Sequence, residues 1–302
     1  MNGKSRLRKL ISLALLLALS GLYSVVYQIA EAAEAPKGLI LALTPSQDPT
    51  ALQVHGKAFA DALAKLVGVP IKIYIASDFA GVVEALRNKT VDLGFLHPVG
   101  YVLANREARA QIVAKDIWHG KTSYTARFFV RKDSGIKSLE DLRGKTIAFV
   151  DPASSSGYIY PMVLLMKKGL VKGRDPKTFF KEVYFAGSHD AALLALLNGS
   201  VDAAASFDMA REQYLKEKER IERLTYVAET PPIPEAGIAA REGLDTALVK
   251  IVEKALLAMN APEYKTILKN LYNIDGFAPA KDSEYDPVRE AVDMMGLTLK
   301  RK

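Results

Sequence analysis

The sequence predicts an α/β protein of two related lobes, each built on a mainly parallel sheet flanked by helices. Short apolar runs of strand length recur along the chain, and after a turn each gives way to helical apolar spacing. The halves also share a local echo. Ala85-Leu-Arg-Asn-Lys-Thr-Val91-Asp92-Leu93 parallels Ala195-Leu-Leu-Asn-Gly-Ser-Val201-Asp202-Ala203, in each case a helix ending at Asn, a two-residue turn and an emerging Val-Asp strand. This is too short for a solenoid repeat and fits a pair of lobes. With 302 residues, 49% hydrophobic and 25% charged, the chain is long enough for one large or two medium domains.

The first 35 residues read as a targeting segment. Lys4, Arg6, Arg8 and Lys9 form a basic start, Leu10 to Leu19 an apolar run, and Ala33-Glu34-Ala35 a cleavage site after Ala35. Weaker apolar character continues to Ile29, so retention as an anchor is the other reading. The chain has no cysteine. That rules out disulfides and lipid attachment to cysteine, and it points to a soluble periplasmic protein. The formal charge is +7, and the leader supplies four of the basic and two of the acidic residues. The modest positive remainder suits a small anionic ligand. The export signal, and the lack of a basic stripe interleaved with aromatics, exclude nucleic acid as partner.

Leu39 to Leu43 reads as the first strand, and the turn Thr44-Pro-Ser46-Gln47-Asp48-Pro49 leads into a helix through Phe59, Leu63 and Leu66. Val69 to Ile75 alternates as a strand, Asp78-Phe79-Ala80-Gly81 opens a second helix, and Val91 to Leu96 is a strand that His97-Pro98 breaks. Tyr124 to Arg131 is a β-rich run, and Ser138 to Arg143 a short capped helix. The same grammar then starts again. A strand at 145–150 runs through a serine turn into a helix at 158–168, followed by a strand from Lys181 to Phe185, a helix capped at Ser188-His189-Asp190 and a strand from Val201 to Ser206. A charged helix is expected over 209–223, and helices over 244–259 and 262–271 with a tail through Met295 are expected to pack on the first lobe. Tyr226 to Glu235, with Pro231, Pro232 and Pro234, fits neither a central strand nor a helix interior and reads as extended chain returning to that lobe. The interlobe connections fall near 124–131 and 226–236. The expected domains are a signal peptide at 1–35, a discontinuous first lobe at 36–126 and 232–302, and a second lobe at 127–231.

The stretch that decides function is Asp151-Pro-Ala-Ser154-Ser155-Ser156-Gly157-Tyr-Ile-Tyr-Pro161. A strand, a hydroxyl-rich turn and a helix place serine hydroxyls and unpaired backbone N–H groups at a helix N-terminus, where the peptide dipoles favour an anion. The competing reading is an ordinary N-cap.

Together with Leu43-Thr-Pro-Ser46-Gln47-Asp48-Pro49, Asp78-Phe-Ala-Gly81, Val91-Asp92, Gly187-Ser-His189 and Pro231-Pro-Ile-Pro234, this stretch resembles the periplasmic phosphonate, phosphite or phosphate solute-binding proteins of ABC importers. The resemblance covers essentially the whole mature chain. It implies the type II periplasmic binding protein fold, with two lobes closing on ligand at a hinge, and a membrane permease as partner. It also implies that Ser154, Ser155 and Ser156 hold the phosphorus oxygens, that His189 assists from the second lobe, and that Ser46 in the first turn is among the ligand-binding residues. Phe79 stands where family members often carry Tyr, leaving an aromatic wall without its hydroxyl. His97 departs from the commoner Gly or Tyr-Gly and supplies a donor, and Glu235 falls where some members place an Asp.

Two readings stay open for several residues. His189 is a ligand or a cap, and Phe79 and Phe95 line the pocket or belong to the core. His55 and His119 read as structural. Asp208, after the Val201–Ser206 strand, is the first acidic candidate and Glu235 the second, with an ordinary cap of helix 209–223 as the alternative for Asp208. A carboxylate in the site accepts a hydrogen bond from a protonated phosphonate or phosphate oxygen, a proton that sulfate lacks. An enzyme is not expected, because the chain has no Gly-x-Ser-x-Gly elbow and its histidines are scattered. No cofactor, metal or catalytic residue is expected, and the protein reads as a monomer. The alternative function is a same-fold receptor for arsenate or a sulfonate serving a sensor kinase.

Overall fold

The computed structural model describes residues 38–298 apart from Ala236. The leader assigned to residues 1–35 therefore lies outside the described residues.

The chain runs β1 (Leu39–Leu43), α1 (Pro49–Val67), β2 (Ile71–Ile75), α2 (Phe79–Arg87), β3 (Leu93–Leu96), α3 (Pro98–Ala108), β4 (Gln111–Ile117) and β5 (Ser123–Tyr124). It continues through β6 (Ala126–Arg131), β7 (Thr146–Phe149), a π-turn at Ser155–Ile159, α4 (Tyr160–Lys167), β8 (Glu182–Phe185), α5 (His189–Leu197) and β9 (Ala203–Phe207). Then follow α6 (Ala210–Tyr214), α7 (Lys218–Arg223), β10 (Leu224–Glu229), β11 (Ile233–Pro234), β12 (Gly237–Ala240), α8 (Thr246–Ala258), α9 (Lys265–Tyr272), β13 (Gly276–Pro279) and α10 (Asp286–Met295).

Among the described residues these strands form a six-stranded sheet ordered β13-β4-β12-β3-β1-β2, a five-stranded sheet ordered β10-β6-β9-β7-β8, and the pair β11-β5. The parallel expectation holds for β2-β1-β3 and for β8-β7-β9, and the remaining neighbours pair antiparallel. β1, β3, β7 and β9 are almost wholly buried. They are covered on both faces by helices, which is why they read as apolar runs rather than alternating strands.

The Val-Asp echo has a structural cause. Asp92 accepts a hydrogen bond from the Ile40 N–H at the start of β1 (2.9 Å), and Asp202 accepts one from the Thr146 N–H at the start of β7 (2.9 Å). In return the Asp92 and Asp202 N–H groups donate to the carbonyls of Ile40 and Thr146. Each carboxylate thus closes the open end of a parallel strand pair, where ladder donors would otherwise go unpaired.

Several expectations are corrected. Residues 209–223 form two short helices, α6 and α7, broken near Leu215. Residues 138–143 make only a 3-10 turn at Glu140–Leu142, and the region around 262 opens with another at Pro262–Tyr264. The stretch Tyr226–Glu229 is not returning chain but part of β10, an edge strand paired with β6. The tail does not rest on one lobe: α10 packs against both α3 and α4, and Arg174 Nε donates to the Met294 carbonyl at 2.7 Å. α3, β4, β12 and β13 were not foreseen, because segments such as Gly-Ile-Ala-Ala carry little strand propensity of their own and are held by their neighbours.

Candidate functional site

The serine turn follows β7. Ser154 caps it, its Oγ accepting from the Gly157 N–H at 3.1 Å. Gly157 is required there, since a Cβ would lie 2.4 Å from Val150. The first turn is widened to π geometry, with the Ile159 N–H reaching back to the Ser154 carbonyl at 3.0 Å. Ser154, Ser155 and Ser156 are 1%, 1% and 3% exposed.

Ser155 reaches the opposite sheet's helices. Its Oγ accepts from the Val99 N–H in the first turn of α3 at 3.0 Å and lies 3.1 Å from His97 Nδ1. His97 is the N-cap of α3, and its Nδ1 accepts from the Gly100 N–H at 3.0 Å. That acceptor role assigns the ring proton to Nε2, which is buried and has no hydrogen-bond partner in the protein. The ring lies 4.9 Å from that of Phe79 and over Gly100, whose missing side chain makes room for it.

His189 is the first residue of α5. Its Nδ1 is 2.7 Å from Ser206 Oγ, and its ring meets Phe207 edge-on at 5.0 Å. Burial holds both imidazoles neutral, each lowered to about 3, and for His97 the neighbouring His189 adds to the effect. Ser46 sits after β1, its hydroxyl beside that of Tyr272, which donates to the Thr44 carbonyl at 2.8 Å. Ser156 bonds the Tyr124 phenol, whose pKa burial pushes up.

These groups surround one cavity of about 130 Å3, small enough for a single compact guest. Of the residues read from the sequence, Ser46, Phe79, His97, Ser154, Ser155, Ser156, His189 and Glu235 line it, and Phe95 does too. Asp208 does not. It is half-buried, its Oδ1 accepts from the Met209 N–H next to it, and burial raises its pKa. His55 and His119 also lie outside the lining.

The acid that sequence reasoning missed is Asp116 on β4, 3% exposed, lining the cavity, with Oδ1 lacking any partner. Burial raises it to about 8. The signal was present: Ala114, Asp116 and Trp118 alternate along one strand face, beyond a bulge that turns Ile112 to the other, and an acid on an apolar face is out of place. Glu235 is also buried; its N–H donates to the Thr122 carbonyl and its own carbonyl accepts from Tyr285 Oη.

Among the described residues, no lysine or arginine lines the cavity. Its positive potential comes instead from the N-termini of α2, α3, the serine turn leading into α4, and α5, which bring Phe79, His97, Ser154–Ser156 and His189 to it. Converging helix ends and hydroxyls suit a small oxyanion. Ser155 and His97 touch, but the imidazole is already an acceptor for Gly100 and burial makes it a poor base for the serine proton.

Residues 41–285 match the family described as ABC transporter, phosphonate, periplasmic substrate-binding protein. A phosphate-import protein PhnD of Mycolicibacterium smegmatis is 29% identical over 280 residues, 86% of this chain and 87% of that protein. The phosphonates-binding periplasmic protein of Escherichia coli is 28% identical over 278 residues, covering 88% and 79%. The solved structure of PhnD1 from Prochlorococcus marinus in complex with methylphosphonate shares the fold with a TM-score of 0.77 at 22% identity, over 87% of this chain and 99% of that one. The alternating lobes with a serine turn at their cleft, and the match along most of the length, place this chain in the family of periplasmic phosphonate substrate-binding proteins of ABC transporters.

Proposed function

We infer that the protein is the solute-binding component of an ABC importer that captures a small phosphorus oxyanion (a phosphonate, phosphite or phosphate) between its lobes and delivers it to a membrane permease. The lobes are residues 36–126 with 232–302, and residues 127–231, joined at the β5–β11 pair, and the protein works in the periplasm after removal of its leader. The observation that carries this reading is the meeting of four helix N-termini, three buried serines and the unpartnered Nε2–H of His97 around a cavity without a cationic side chain. Such a site neutralises an anion with dipoles and charge-assisted hydrogen bonds, and closure removes the water that would weaken them. The relatives matched along most of their length are transport proteins, which favours this reading over a sensor.

The test is calorimetry and thermal melting of the purified protein with phosphate, phosphite, methylphosphonate and sulfate. One of the phosphorus anions at about 100 times its Kd should stabilise the fold by about 2.7 kcal/mol. Replacing Ser155 and Ser156 together by alanine should weaken its binding by about 3 kcal/mol or more, since each loses a charge-assisted donor. Unchanged affinity in the double variant would overturn the assignment of the site.

A further inference from the structure

We propose that Asp116 is a specificity-determining residue that holds the bound anion through one shared proton between its free Oδ1 and a phosphorus oxygen. The inference rests on the reading of the cavity as a phosphorus oxyanion site and adds a group that neither the serine turn nor the histidines supply. A carboxyl that is 3% exposed with an unpartnered oxygen in a ligand cavity is costly to bury unless something arrives to pair with it. Around it stand Tyr124 on β5, Tyr272 ending α9, Tyr285 before α10 and Glu235 after β11. The three phenols are all raised by burial and none is a cation. Lys115, next along β4, is paired away with Glu284.

Burial also keeps both cavity histidines neutral, so neither supplies a full positive charge to offset a doubly charged guest. A proton between Asp116 and the guest lowers the charge that must be desolvated. Either partner can bring it: the neutral carboxyl donates to a dianion, or the carboxylate accepts from a monoanion, and the product is the same. Tyr124 ties this acid to the serine turn, since it bonds Ser156 and feels the charge of Asp116. Asp116 stands on the first sheet and the serines follow the second, so the shared proton needs both sides in place.

The consequence is proton uptake on binding at alkaline pH. Above about pH 8 neither the carboxyl nor the guest carries the proton, so it must come from solvent. The experiment is calorimetry of the purified protein with methylphosphonate, phosphite and phosphate at pH 7 and pH 9, in buffers of unlike ionisation enthalpy, for the wild type and for Asp116→Asn. The wild type should take up about one proton per guest at pH 9 and lose about tenfold in affinity per pH unit above pH 8. Asp116→Asn, similar in shape, should take up none and show a flat affinity across the same range. A wild type that binds without proton uptake, or a variant that keeps the uptake, overturns the role of Asp116 while leaving the oxyanion reading intact, and the wild-type measurement stands even if the variant does not fold. If none of the three anions binds the wild type at pH 7, the oxyanion reading itself falls and this inference with it.

Discussion

The two lobes present the same pair of rings to the cavity with their positions exchanged. Counting from the matched aspartates, Phe79 precedes Asp92 by the same interval as His189 precedes Asp202, and His97 follows Asp92 as Phe207 follows Asp202. The Phe79–His97 rings are 4.9 Å apart and the His189–Phe207 rings 5.0 Å. In each lobe the histidine Nδ1 is engaged inside its own lobe, by the Gly100 N–H in one and the Ser206 hydroxyl in the other. The difference is in what else each histidine does. His97 caps a helix and also meets Ser155 across the cleft, whereas His189 begins a helix that Ser188 caps. The same pleated scaffold thus yields one histidine whose side chain joins the lobes and one whose ring stays in its own lobe while its backbone N–H reaches the Ser46 carbonyl at 3.5 Å.

Ways to break this comparison follow, from the largest effect down. The three buried titrating groups should shape the stability of the ligand-free protein. Both histidines have folded pKa values below their unfolded ones, so from about pH 6.5 down to about 3 the unfolded chain binds more protons and stability falls with pH. Asp116 is raised from 3.8 to about 8, so between those values the folded chain binds more protons and stability falls as pH rises. Each group changes stability by about 1.4 kcal/mol per pH unit within its window. Their sum peaks near pH 6.5 and falls on either side by about 1.4 kcal/mol per unit. Chemical denaturation from pH 4.5 to 8 checks this, and Asp116→Asn should flatten the alkaline arm and steepen the acid arm to about 2.8 kcal/mol per unit, the slope of the two histidines alone.

His97→Phe and His189→Phe separate the two histidines. Each should weaken anion binding by about 1.5–3 kcal/mol through the lost donor. His97→Phe should in addition destabilise the ligand-free protein by about 1 kcal/mol, because α3 loses its cap. A melting temperature of His97→Phe equal to that of the wild type would show that the cap carries no weight.

The last comparison concerns the shared clamp. Asp92→Ala and Asp202→Ala should each cost about 1–3 kcal/mol by leaving strand donors unpaired. Amide exchange should then speed up in β1 for the first and in β7 for the second. Exchange that rises in both strands for either variant would mean that the clamps are not local.

Much of this was legible without coordinates. The serine turn, the alternation of strands and helices and the Val-Asp echo are local patterns, and local patterns survive in a linear chain. Asp208 misled for the same reason. It follows a site-bearing strand, but its carboxylate turns to the Met209 N–H beside it. Asp116 went unread because β4 carries no motif and a bulge breaks its alternation, so an acid between Lys115 and Ile117 looks like ordinary surface until its strand face is known to be buried. β12 was missed likewise, since Gly-Ile-Ala-Ala becomes a strand only between β3 and β4.

Order along the chain therefore determined the fold class, the doubled α/β grammar and the serine turn, because spacing, caps and hydroxyl clusters act within a few residues. Tertiary structure alone decided that Ser155 meets His97 and Val99, that α10 lies on both sides, and that Asp116 faces the cavity with an oxygen unspent. Those contacts join residues far apart in sequence, and only burial, which depends on the whole packed chain, gives a lone carboxyl or a neutral imidazole its chemistry.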